Sequence, residues 1–213
     1  MNKFFAVSLA LFMAAITVNS DENADRPRVK IETTKGEIVI ELFPKEAPKT
    51  VANFLQYVND GFYNGTIFHR VIKNFMIQGG GLTEDMTQKP TREAIVNEAD
   101  NGRVNSSGTI AMARKPDPNS ATAQFFINVK DNTFLNFRDK SPQGWGYCVF
   151  GRVVGGMNVV KEIETTPTGI KDGVPDVPQT PIVMTKVSVA GGGKAAKPST
   201  KKAAAASDSA TTK

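Results

Sequence analysis

The chain holds one cysteine, one histidine and one tryptophan in 213 residues, and the first two scarcities each remove a class of chemistry. A lone cysteine, Cys148, permits no internal disulfide. It lies in the apolar run YCVFG, where a small buried hydrophobe is the expected role. One histidine and one cysteine cannot furnish a zinc site of the His/Cys kind, so no metal is expected. His69 is the only imidazole available to activate a nucleophile, and neither a Gly-x-Ser-x-Gly elbow nor a Cys-Gly-x-Cys-Trp context accompanies it. Nucleophilic hydrolysis fails on inventory.

Net charge is the second shortage. The formal +5 divides into +1 from Lys3, zero from residues 21–190 (20 basic, 20 acidic) and +4 from residues 191–213. A neutral domain leaves no electrostatic footprint for nucleic acid. The basic tail reads as a solvated charge run. That tail, GGGKAAKPSTKKAAAASDSATTK, lacks aromatic and large aliphatic residues, so it cannot offset its chain entropy and is expected to be disordered.

Long apolar runs are also missing. The one candidate, Phe4 to Val18, is short for a membrane span, although a membrane anchor is the alternative reading. Lys3 before it and Val18-Asn19-Ser20 after it give the basic, apolar, small order of a secretory signal peptide over residues 1–20. The mature chain is then expected to be exported, to start near Asp21, and to hold no stable membrane insertion. Residues 21–190 suit a single domain with a sizeable core.

Within that domain, Val29 to Glu32 and Glu37 to Leu42 alternate around a turn, which predicts a hairpin. Pro48 opens a helix that presents Val51, Phe54, Leu55 and Val58 on one face and stops at Gly61. Short strands are expected at 66–71, 75–79, 109–113, 125–129, 149–154 and 181–189, with a second helix over 158–164. Many short strands and two distant helices point to a β-barrel or sandwich with helical plugs.

The stretch FHRVIKNFMIQGGG, residues 68–81, sets His69 beside Arg70 in an otherwise apolar run. Gly79-Gly80-Gly81 lacks the following Lys-Ser/Thr of a phosphate loop, and Gly144, Gly146 and Gly151 miss dinucleotide spacing; turn and bulge glycines remain. Of ten phenylalanines beyond residue 20, seven fall in 62–80 and 125–137, which marks an apolar patch. Strand alternation puts His69 with Val71 and Phe68 with Arg70, and separates Met76 and Gln78 from Phe75 and Ile77. Without a bulge, alternation does not gather Arg70, Phe75, Met76 and Gln78 into one site. Arg70 as a paired structural charge stays open beside a base, a ligand and an electrophile.

FHRVIKNFMIQGGG, GTIAMAR, SATAQFFINVKDNTFLN and GYCVFGRVVGGMNVV, in this order, resemble the cyclophilin family of peptidyl-prolyl isomerases, above all its bacterial periplasmic branch. The resemblance covers roughly residues 28–189. It implies a mainly β fold, a closed eight-stranded antiparallel barrel capped by two helices. It also implies a cofactor-independent, monomeric isomerase acting on proline-containing polypeptides and folding clients in the periplasm. His69, Arg70 and Gln78 match the catalytic positions, with His69 in a packing or orienting role. Phe75 and Met76 match the hydrophobic wall, Ala113 the edge that meets the residue before proline, and Gln124 a polar contact. Phe126 and Leu135 match the pocket floor and side.

Three positions depart from the family pattern. Phe134 stands for a frequent Trp, Tyr147 for a frequent pocket His, and Arg114 for a frequent Asn. The loss of the indole N–H argues against tight cyclosporin binding. A non-catalytic proline-peptide binding or holdase module is the rival; retention of both Arg70 and Gln78 favours the enzyme.

Overall fold

The computed structural model describes residues 26–190. The expected signal segment and the expected tail lie outside these described residues.

Alternation of β-branched residues makes the first hairpin. β1 (Arg28–Thr33) pairs antiparallel with β2 (Gly36–Leu42), setting Val29 opposite Ile40 and Ile31 opposite Ile38, all four with no solvent exposure. α1 (Pro48–Asn59) starts with proline, whose missing N–H costs nothing there. Ala47 provides no side-chain cap. The Glu98 carboxylate supplies it from a distant loop, accepting from the Lys49 and Thr50 amides at 3.1 and 2.8 Å. Val51, Phe54, Tyr57 and Val58 turn inward, and Phe54 meets the rings of Tyr63, Phe125 and Phe150 at 5.2–5.7 Å.

The remaining strands are β3 (Arg70–Ile72), β4 (Met76–Gly79), β5 (Thr109–Met112), β6 (Phe125–Asn128), β7 (Val149–Gly155), β8 (Thr168–Lys171), β9 (Val174–Pro178) and β10 (Met184–Ala190). α2 (Met157–Glu164) follows β7 and buries Val159, Val160 and Ile163 in the same core as α1. Eight strands form one antiparallel sheet in the order β10-β1-β2-β7-β5-β6-β4-β3. Hydrogen bonds between the segment entering β3 and the segment entering β10 bridge its two ends. The Gly65, Phe68 and Met184 amides donate to the carbonyls of Met184, Ile182 and Thr66 at 2.9, 3.0 and 2.8 Å. The antiparallel eight-stranded barrel with two helices is therefore the fold.

Two elements differ from the sequence reading. The expected strand at 66–71 is split: Thr66 and Ile67 make only isolated bridges, to Thr83 and Val183, and the ladder begins at Arg70. The hairpin β8–β9 has no counterpart in that reading. Its strands carry Pro175 and Pro178 and mostly half-buried or exposed residues, so neither alternation nor an apolar run announces it. An Asp172-Gly173 turn with φ of 52° and 78° closes it.

Gly79 and Gly80 show why the triple glycine follows Gln78. A Cβ on Gly79 would sit 2.7 Å from the Ile67 carbonyl oxygen, where the closing segment crosses β4. Gly80 has φ +81°, and a Cβ there would come within 2.9 Å of the Phe125 and Tyr63 rings. Gly80→Ala should cost about 2–4 kcal/mol, combining left-handed backbone strain with overpacking. Denaturant unfolding of that variant measures it; a loss below about 0.5 kcal/mol would contradict the packing described.

Candidate functional site

The strand register accomplishes what alternation within one strand does not. Val71, Ile77, Ile127 and Ile110 line up across β3, β4, β6 and β5 and point into the main core. One residue along, Arg70 lies opposite Gln78, Gln78 opposite Phe126, and Phe126 opposite Ala111. This second row faces the other side of the sheet, where Met76, Ala111, Phe126, Leu135 and Val149 form a separate apolar cluster with Phe43. β6, FFIN, is buried on both faces for this reason. Phe75 joins from the turn before β4, which Asn74 makes possible with φ 57°.

Above that cluster lies a cavity of about 200 Å³ lined by Arg70, Phe75, Met76, Gln78, Ala113, Arg114, Phe126, Leu135 and Tyr147. Eight of the eleven expected site residues are in this wall. Gln124 stands behind it, accepting from Gln78 Nε2 at 3.0 Å, while its carbonyl takes the Ala113 amide at 3.0 Å. Phe134 stacks on Phe75 at 5.7 Å but is 66% exposed and outside the lining. His69 is 6% exposed and likewise outside it.

Sequence reading gave no role to three features. Arg114, noted only as a departure, lines the cavity with its guanidinium 4.7 Å from the Tyr147 ring centre. Asp176, on the hairpin β8–β9, holds Arg70 Nε at 3.6 Å. The third is a chain of buried asparagines. Asn132 Nδ2 donates to the Phe75 carbonyl and to Asn128 Oδ1, both at 2.8 Å. Asn128 Nδ2 donates to Asn105 Oδ1 at 3.1 Å and Thr109 Oγ1 at 2.9 Å. Asn105 Nδ2 reaches the carbonyls of Leu135 and Tyr147, both at 3.2 Å. The signal for these would have been three asparagines in or beside strands, a residue type depleted there.

The wall contains no carboxylate, histidine, cysteine or serine. It offers an apolar floor with guanidinium and amide groups at the rim, and no nucleophile. Among the described residues no group of three or more His, Cys, Asp or Glu side chains could hold a metal ion. Burial drives the His69 pKa down to about 4, the neighbouring Arg70 charge adds to the effect, and a hydrogen bond with the Ile67 backbone opposes it. Its Nδ1 is buried without a partner. A pKa lowered that far leaves the imidazole neutral at pH 6–8.

The profile of a family described as "Cyclophilin type peptidyl-prolyl cis-trans isomerase/CLD" matches residues 28–189. The chain is 59% identical over 163 residues to a peptidyl-prolyl cis-trans isomerase of Streptomyces antibioticus, covering 76% of this chain and 98% of that one. It is 56% identical over 161 residues to peptidyl-prolyl cis-trans isomerase B of Escherichia coli, with the same coverages. Its fold is similar to the crystal structure of a Cryptosporidium parvum cyclophilin type isomerase in the presence of the dipeptide Ala-Pro. There the TM-score is 0.65 at 28% identity, over 76% of this chain and 98% of that one.

The depressed His69 pKa has a consequence for stability. As pH falls, the unfolded chain, with an ordinary imidazole near 6.5, binds a proton before the folded one does. The stability that neutral His69 contributes is complete above pH 6.5 and is lost progressively as pH falls toward about 4. Denaturant unfolding at pH 7 and pH 4.5 should differ by an amount that includes on the order of 2–3 kcal/mol from this group. His69→Gln should remove that part of the difference. An equal pH dependence in the variant would contradict a buried neutral imidazole.

Proposed function

Because the chain belongs to the cyclophilin-type peptidyl-prolyl cis-trans isomerases, we propose that it accelerates X–Pro isomerisation in exported polypeptides as they fold, with Arg70 as its principal catalytic group. The isomerase activity follows from family membership. The exported setting rests on the basic, apolar, small order of residues 1–20, and the periplasm as compartment on the resemblance to the family's bacterial periplasmic branch. Among the described residues no helix is long and apolar enough to cross a membrane.

The observation that carries the catalytic reading is the pairing of Arg70 with Gln78 across β3 and β4, beside a floor of Met76 and Phe126. An X–Pro bond resists rotation because the nitrogen lone pair is delocalised into the carbonyl, with a barrier of about 18–20 kcal/mol. Twisting the bond localises that lone pair and turns the nitrogen into an acceptor. A guanidinium N–H directed at it binds the twisted state better than the planar one, which is how binding becomes rate. The apolar floor grips the proline ring and Gln78 contacts the substrate carbonyl. Asp176, on the Nε edge, leaves both Nη groups of Arg70 without that partner. Arginine stays charged when partly desolvated, which lysine does not guarantee.

No proton moves in this scheme, so neutral His69 serves by packing behind Arg70. Ala113 forms the edge that meets the residue before proline, and Phe75, Leu135, Tyr147 and Gln124 shape the sides. Uncatalysed exchange takes about 10–100 s, slow enough to limit folding of a client. Clients are proline-containing polypeptides, handled by a monomer that needs no cofactor.

Single-turnover isomerisation and affinity for a short Ala-Pro peptide test the role of Arg70. Arg70→Ala should lower the catalytic constant roughly 10²–10³-fold, the scale of one lost preorganised donor, and weaken peptide binding far less. Arg70→Lys should recover only part. Equal losses of rate and affinity would identify a ground-state contact and favour a proline-peptide binding module instead.

A further inference from the structure

We propose that Arg114 gives this enzyme a preference for an acidic residue immediately before the proline. The inference rests on the isomerase reading of the cavity and adds a substrate class to it.

Arg114 is held in place by three hydrogen bonds and a ring contact. Its Nε donates to the Gly146 carbonyl at 2.9 Å, and Nη1 donates to the carbonyls of Lys115 and Pro116 at 3.0 and 3.2 Å. The guanidinium lies 4.7 Å from the centre of the Tyr147 ring. Every one of these partners orients the group, and none neutralises it. Among the described residues no carboxylate pairs with Arg114, and Nη2 has no acceptor. The contrast with Arg70 is informative, because Asp176 offsets that charge at 3.6 Å. The uncompensated charge in the wall of the cavity therefore belongs to Arg114.

A cation held by carbonyls and a ring has already lost its rotamer freedom, so an incoming anion does not have to order it. The free Nη2 is a charge-assisted donor suited to a carboxylate oxygen. Ala113 precedes it in the chain and lines the same cavity. If that edge meets the residue before proline, the side chain of that residue is the one Arg114 can reach. A short acidic chain, Asp or Glu, fits the charge; a Lys in the same place would be repelled.

The experiment compares kcat/KM for Ala-Glu-Pro-Phe, Ala-Gln-Pro-Phe and Ala-Ala-Pro-Phe peptides with the full chain. Glu should be favoured over Gln about three- to fivefold at low salt, and the ratio should approach one near 1 M salt, as for a half-exposed ion pair. Arg114→Gln should abolish the ratio, and Arg114→Lys should keep part of it. Lys115→Gln makes the same charge change at the next, exposed residue and should leave the ratio intact. Because each ratio is internal to one variant, a general loss of activity does not alter its meaning. A ratio near one in the unmodified protein, an unchanged ratio in Arg114→Gln, or an equal fall in Lys115→Gln overturns the proposal. Brisk turnover of all three peptides at equal rates would sink this inference alone; no turnover of any would sink the isomerase reading with it.

Discussion

Three carbonyl groups around the cavity, those of Phe75, Leu135 and Tyr147, take hydrogen bonds from the side chains of two buried asparagines, Asn132 and Asn105. Asn128 joins the pair, accepting from one and donating to the other. These residues are 0–1% exposed, so an unpaired amide atom is costly there, and of their side-chain polar atoms only Asn132 Oδ1 has no partner among the described residues. The three wall segments are a turn before β4, the 3-10 turn Thr133–Leu135 and the approach to β7. None is tied to another by a strand ladder. The Tyr147 amide donates to the Leu135 carbonyl at 2.9 Å, and the asparagine chain ties these two segments to the turn that carries Phe75.

The floor is held from below by a different device. Phe43 belongs to the same apolar cluster as Met76 and Phe126, and the guanidiniums of Arg26 and Arg103 lie 5.1 and 4.6 Å from its ring centre. Glu46 pairs with both arginines. Glu41, itself 2% exposed, draws in Arg26, Arg28 and Arg152 nearby. A buried carboxylate with three cationic neighbours escapes the penalty of an isolated charge. A floor and a wall tied in this way suit the roles proposed for Arg70 and Arg114, because a preorganised donor needs little reorganisation when substrate charge develops.

Much of the fold could be read from the sequence where one periodicity ruled. The β1–β2 hairpin, both helices and the positions of β4 to β7 follow from alternation and from the i, i+3, i+4 spacing of apolar residues. Hairpin β8–β9 could not be read, because Pro175 and Pro178 sit in strands with little to bury. The site was only half legible. Periodicity within β3 and β4 scattered Arg70, Phe75, Met76 and Gln78, whereas the register between strands set Arg70 opposite Gln78 and the Asn74 turn delivered Phe75. Register is a property of pairs of strands, and no single segment carries it. Motif resemblance bridged that gap for the residues it covered. It gave no partner for Arg70 and no use for Arg114, since those depend on what Asp176 and Tyr147 bring from far along the chain.

One direct measurement tests whether the asparagine chain holds the cavity together. Peptide isomerisation and denaturant stability are compared for Asn105→Ala, Asn128→Ala and the double variant. Each single change should cost about 2 kcal/mol of stability, the scale of leaving buried partners unpaired. Each should also lower kcat/KM roughly tenfold, or about 1.4 kcal/mol of transition-state binding. In the double variant the rate should fall little further, because the first cut already releases the wall and contacting residues couple. Folded single variants that keep the full rate would contradict the account.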